Sequence, residues 1–204
     1  MNALAARASL FSQLQSAVLK EHGFRKRGAW SIREREALLQ TFYLRSSRFG
    51  SAGKAIFWID VQVFSPAWYD LAFAPKSFPG AKEGTPSLVS EELGKMCEPA
   101  SHSFEIMHDT PLDAMFGMIR DAARNVALPL LERCSSLRGV LEFIESKATG
   151  DVHGIGSAGI CLLLGRETDA RHHIEEAKRL APHDNYRRWL ELRERSMWEQ
   201  YAKR

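Results

Sequence analysis

"AIFWIDVQVF", residues 55–64, is the most strand-like stretch of the chain, and its alternation decides the fold. In an extended strand, successive side chains point to opposite faces. Phe57, Ile59, Val61 and Val63 therefore share one face, and Ile56, Trp58, Asp60, Gln62 and Phe64 share the other. One face is wholly apolar and the other is mixed. That asymmetry is expected of an antiparallel sheet with helices on one side only.

Working outward, "ALLQTFYLR" (37–45) is a second strand, and the glycine- and serine-rich "SSRFGSAGK" (46–54) connects it to the first. Upstream, Trp30 and Ile32 mark another strand, with "EREA" as the turn that follows it. Leu4, Leu10, Phe11, Leu14, Val18 and Leu19 recur at helical spacing, so residues 3–21 are expected to form an amphipathic helix ending near Gly23. Downstream, "WYDLAFA" reads as a fourth strand or a helical turn, and the prolines between 65 and 110 break any long element. From Thr110, "DTPLDAMFGMIRDAARNVALPLLERC" predicts a long helix that Pro129 kinks or divides near its end. The expectation is an α+β fold: a small antiparallel sheet of three to four strands, covered by helices on one face, over residues 1–136. A helical subdomain follows over 137–204.

Two resemblances add to this reading. The helix ending in "HGF", then "RKRGAW" and a strand, then an apolar strand pair, resembles a bacterial family known only as a domain of unknown function, number forty-three-oh-four of its series, over residues 8–133. The resemblance implies a compact α+β domain and brings no catalytic residues with it. In "GRETDARHHIEEAKRLAP", Gly165, Ala170, Ala177 and Pro182 resemble the second half of a tetratricopeptide repeat, with Ala158 as the small residue of its first helix. One such unit near 154–182 implies a helical hairpin, to be followed by a terminal helix from Asp184.

Composition narrows the function. No apolar run approaches the roughly 20 residues that span a bilayer. Cys97, Cys134 and Cys161 are far apart and form no CxxC pair, which suits free thiols in the cytoplasm. The formal net charge of +3 is unevenly spread. Residues 1–60 hold ten Lys/Arg against four Asp/Glu, and the remainder eighteen against twenty-one.

Motifs for chemistry are weak. Gly154, Gly156 and Gly159 spell GxGxxG, but a dinucleotide site also needs a strand before them and a long helix after. His172, His173, Glu175 and Glu176 lack the HExxH spacing and read as a solvated helix face. His102, Glu105, His108 and Asp109 are sparse, and Asp60 has no evident partner for acid–base work. No cofactor and no metal site is expected.

The basic cluster Arg25–Lys26–Arg27 raises the question of nucleic acid, with Trp30, Arg33, Arg35, Arg45, Arg48 and Lys54 extending it. Along a strand, however, Arg25 and Arg27 face one way and Lys26 the other, which suits a sheet edge better than a phosphate claw. The expectation is a non-enzymatic protein-binding module, of the kind that masks a partner as immunity proteins and antitoxins do. The alternatives are a nucleic-acid-associated protein using the basic first third, or an enzyme with a site in loops 65–110. Candidate partner-binding residues are Arg25, Lys26, Arg27, Trp58 and Asp60, with Trp189, Arg195, Trp198 and Tyr201 on the terminal helix.

Overall fold

The computed structural model describes residues 2–147 and 154–204. It is α+β, with a six-stranded antiparallel sheet and helices. The chain divides into two compact units.

The first unit comprises Met1–Arg35, Leu39–Val63 and Val89–Glu132. Helix α1 (Ala3–Leu14) is capped by Asn2, whose side chain accepts the Leu4 amide, and it continues as a π-helical turn over Gln15–Leu19. Strands β1 (Arg25–Arg27), β2 (Trp30–Arg35), β3 (Leu38–Ser46) and β4 (Ala55–Phe64) follow in order across the sheet. On the far side of β4, β5 (Val89–Glu92) pairs with its second half and β6 (Phe104–Ile106) with its first half. The three short strands are why six are present where the sequence suggests three to four. A strand of three or four residues leaves too little alternation to read.

Turn chemistry fixes the register. β1 and β2 are joined by Gly28 and Ala29, with Gly28 at φ +61°, the left-handed first position that a two-residue hairpin favours. β2 and β3 are joined by Glu36 and Ala37, which both take positive φ (45° and 64°) although neither is glycine or asparagine. The sequence "EREA" marks the turn without showing this conformation.

The apolar face of β4 is the core face. Phe57, Ile59, Val61 and Val63 are buried there with Phe42 and Leu44 of β3 and Phe104 and Ile106 of β6. Helix α1 packs against β6 and against α3 (Leu112–Ala122), which runs on through a π-helical turn (Ala123–Ala127) into α4 (Leu128–Arg133). The π turn stands where the sequence places the proline disturbance. Pro129 has no N–H to give, and the turn before it widens so that the Leu128 amide donates to the Ala123 carbonyl.

A polar seam runs through this core. Arg33 is 4% exposed. Its Nε donates to Gln40 Oε1 at 2.7 Å, its Nη1 to the His22 carbonyl at 3.0 Å, and its Nη2 lies 2.6 Å from Glu132 Oε1. Gln40 in turn donates to the Leu131 carbonyl, and Ser31 to Gln15. Burial lowers the Arg33 pKa from its ordinary value, and hydrogen bonding to Glu132 works against that shift.

The second unit comprises Glu36–Leu38, Phe64–Leu88 and Arg133–Arg204. "WYDLAFA" is helical: α2 (Pro66–Ala72) starts on Ser65, whose Oγ accepts the Trp68 amide. Then come α5 (Leu137–Glu145), α6 (Gly154–Leu163), α7 (Glu167–Arg179) and α8 (Asp184–Tyr201). α6 and α7 form the expected helical hairpin. Gly165, at φ +72°, ends the first helix, and Gly154 lets the second approach so closely that a Cβ there would overlap Ala177. Trp68 lies against Gly159 and donates from Nε1 to the Ile155 carbonyl at 3.2 Å.

Candidate functional site

The second face of the first unit's sheet gathers chemistry that the core face lacks. Opposed residues of an antiparallel pair share a face. Arg25 stands opposite Ile32 and Arg27 opposite Trp30, so both arginines lie on the side of Trp30. Trp30 stacks on Tyr43 of the next strand, with ring centroids 4.0 Å apart and planes within 11°. Two residues further along β3, Arg45 places its guanidinium over the Trp58 ring at 4.5 Å. Its Nε donates to Asp60 Oδ2 at 2.8 Å, and its Nη2 to Asp60 Oδ1 at 3.2 Å and Glu92 Oε1 at 3.1 Å. Asp60 and Glu92 stand opposite each other on β4 and β5.

Here the sequence reading of Asp60 needs correction: the acid is not alone. Two carboxylates facing each other across a ladder repel unless a cation stands between them, and Arg45 takes that position. The hydrogen bond that Arg45 donates to Asp60 raises the Arg45 pKa above its ordinary value, with Glu92 adding to it. Lys95 Nζ, 3.0 Å from Glu92 Oε2, extends the network. Asp60 is 7% exposed, and Trp30, Tyr43, Arg45, Trp58 and Glu92 are half-buried, while Arg25 and Arg27 are exposed. Pairing of both Asp60 carboxylate oxygens holds the Arg45 guanidinium over Trp58.

The basic strip suggested by the sequence disperses. Lys26 faces the other side of the sheet, where its Nζ meets Ser12 Oγ at 2.6 Å and lies 5.9 Å from the Phe11 ring centroid. Arg33 is buried and Arg45 is neutralised. Lys54 pairs with Glu105 at 2.6 Å. Arg25 and Arg27, by contrast, have no hydrogen bond or ion pair from their side chains among the described residues. They sit on β1, the edge strand of the sheet order, as the alternation argument implies.

The terminal-helix candidates lie in the second unit and form no single patch. Trp189 and Trp198 are nine residues apart on α8, which puts them on opposite sides of a helix with about 3.6 residues per turn. Trp189 stacks on Tyr186 at 5.5 Å, and Trp198 lies under Arg171 at 4.2 Å and edge-on to Tyr201 at 5.9 Å. Both tryptophans are half-buried; Arg195 is exposed.

Other sequence motifs resolve locally. Gly154, Gly156 and Gly159 lie in α6, and among the described residues the element before them is the helix α5, where a dinucleotide site needs a strand. His173 Nε2 lies 3.4 Å from Glu145, Glu176 pairs with Arg179, and Lys178 bridges Glu175 and Glu194. No group of three His, Cys, Asp or Glu among the described residues is placed to hold a metal ion. Burial pushes the Cys97 and Cys134 thiols up to about 11, far from the thiolate a nucleophile needs.

Tyr43 and Glu92 belong to this face and were not among the candidates from sequence, and Arg45 was named there only as part of the basic strip. A signal for Arg45 exists in the hairpin itself. Folding 37–45 back on 55–64 about the glycine-rich connection brings the end of one strand to Trp58 and Asp60.

The family described as Domain of unknown function (DUF4304) matches residues 15–133, a span that includes every strand of this face. No curated protein and no solved structure gives a significant match. No helix among the described residues is long and apolar enough to cross a membrane.

Proposed function

From the premise that this chain belongs to the DUF4304 family, whose description assigns no activity, we propose that it is a non-enzymatic, cytoplasmic protein-binding module whose contact surface is the second sheet face. An immunity- or antitoxin-like role, masking a partner by covering it, is the form of binding that suits a compact domain of this kind.

The observation that carries the reading is the pairing of the aromatic rings on that face. Tryptophan, tyrosine and arginine are the residues that most often anchor protein interfaces. Trp30, Tyr43, Trp58 and Arg45 are half-buried and held in place by stacking and by the Asp60–Glu92 carboxylates. Side chains already ordered lose little entropy when a partner docks. Single-stranded nucleic acid makes a different demand. Bases stack on open aromatic faces along a basic groove. Here Trp30 and Tyr43 each give a face to the other, Trp58 gives one to Arg45, and the cations Arg45 and Lys54 are already paired with carboxylates.

The test is differential capture from a nuclease-treated lysate of the source cells. The tagged chain should retain a stoichiometric protein. The Trp58→Ala and Tyr43→Ala variants should lose it, while Trp189→Ala keeps it. Equal capture by all of them, or retention that vanishes with nuclease, refutes the reading.

A further inference from the structure

Resting on the proposed protein-binding face, we infer that its partner presents an acidic segment to the β1 side, with carboxylates engaging Arg25 and Arg27 beside the Trp30–Tyr43 stack. The two ends of the face differ in charge. Towards β4 and β5 every charge described above is matched: Arg45 by Asp60 and Glu92, Lys95 by Glu92, Lys54 by Glu105. Towards β1, Arg25 and Arg27 stand exposed with no acidic partner among the described residues, and the residues opposite them are Ile32 and Trp30. Like charges two apart on an edge strand repel each other, and a complementary anion relieves that repulsion.

Geometry narrows the anion. Alternate residues of a strand are about 7 Å apart, so the two guanidinium groups suit two carboxylates at i and i+2 of an extended segment. Arginine presents a planar fork that binds carboxylate through two parallel hydrogen bonds, which a lysine cannot do. The adjacent stack contributes in the same sense, because aromatic ring edges carry the positive end of the quadrupole. A phosphate chain would also be drawn to Arg25 and Arg27. Beyond them it would find no unmatched cation to follow across the sheet, because Arg45, Lys95 and Lys54 are already paired with carboxylates. Edge protection against sheet-to-sheet aggregation explains a charge on β1, but that purpose does not need both arginines aligned beside Trp30.

The probe is a short labelled peptide alternating glutamate and tyrosine. Its controls are a twin with glutamine in place of glutamate and a single-stranded oligothymidylate of equal charge. Anisotropy titrations on the full chain should show binding of the glutamate peptide that weakens as salt rises. The glutamine twin should bind at least about tenfold more weakly. Arg25→Glu with Arg27→Glu should abolish the preference. Both positions are exposed, so the fold should survive, and circular dichroism checks that it does. Arg25→Lys with Arg27→Lys should recover part of the affinity, because charge remains and the fork is lost. Equal binding of the two peptides, no binding of either, or stronger binding of oligothymidylate overturns the inference. The capture experiment with Trp58→Ala reads the face independently of charge, so the acidic-partner inference and the protein-binding reading fail separately.

Discussion

Arg33 shows how a single residue changes meaning between sequence and structure. In "SIRERE" it is one more cation of a basic stretch. In the folded chain it is buried over the Phe24 ring at 4.7 Å and bonded to Gln40, the His22 carbonyl and Glu132. Nothing in the sequence marks it apart from Arg35, which is exposed two residues later. The difference is made by Gln40, across the β2–β3 hairpin, and by Glu132, which arrives from far along the chain. A buried guanidinium that donates to Gln40 and the His22 carbonyl and pairs with Glu132 holds its neighbours in register; without it those contacts are lost inside the core. Arg33→Ala is therefore expected to lower unfolding stability by about 2–4 kcal/mol. Arg35→Ala should shift it by no more than about 0.5 kcal/mol. Urea denaturation of the two variants checks the contrast, and equal effects would show that the seam is not a structural pin.

At the scale of elements, legibility follows length and period. β4 is ten residues long and alternates cleanly, so its core and mixed faces can be read directly. The helix from Leu112 carries an apolar face long enough to be recognised, and Pro129 marks where it changes pitch. β1, β5 and β6 have three or four residues each, and their identity depends on neighbours. α2 shows the opposite problem: "WYDLAFA" is apolar almost throughout, so neither period dominates. The α6–α7 hairpin was legible through its small residues, which are steric requirements. Gly154→Ala should destabilise by about 1–3 kcal/mol, because its Cβ overlaps Ala177 and comes within 2.7 Å of the His173 carbonyl oxygen. Gly117→Ala, in α3 with nothing within 4 Å of the added Cβ, should instead stabilise by about 0.5–1 kcal/mol. Thermal melts of both variants should shift in opposite directions. A neutral Gly154→Ala would mean that the hairpin is looser than its geometry requires.

For the whole molecule, net charge and motif counts say little, and the distribution over one sheet face says more. The sequence supplies Arg25, Arg27, Trp58 and Asp60 as separate candidates, and strand register brings them to one side with Tyr43, Arg45 and Glu92. Register was legible only in part, because the two-residue turn at Glu36 and Ala37 hides its geometry behind residues that rarely take positive φ. The terminal helix carries the same interface-prone residue types, yet its two tryptophans point to opposite sides.

Composition therefore does not choose between the sheet face and the terminal helix; a map of protection does. The most direct measurement is hydroxyl-radical footprinting of the chain alone and with its captured partner, read residue by residue. Protection centred on Trp30, Tyr43 and Trp58 is the predicted result, with Trp189, Trp198 and Tyr201 unchanged. Protection confined to the terminal-helix residues would contradict the assignment of the sheet face as the binding surface.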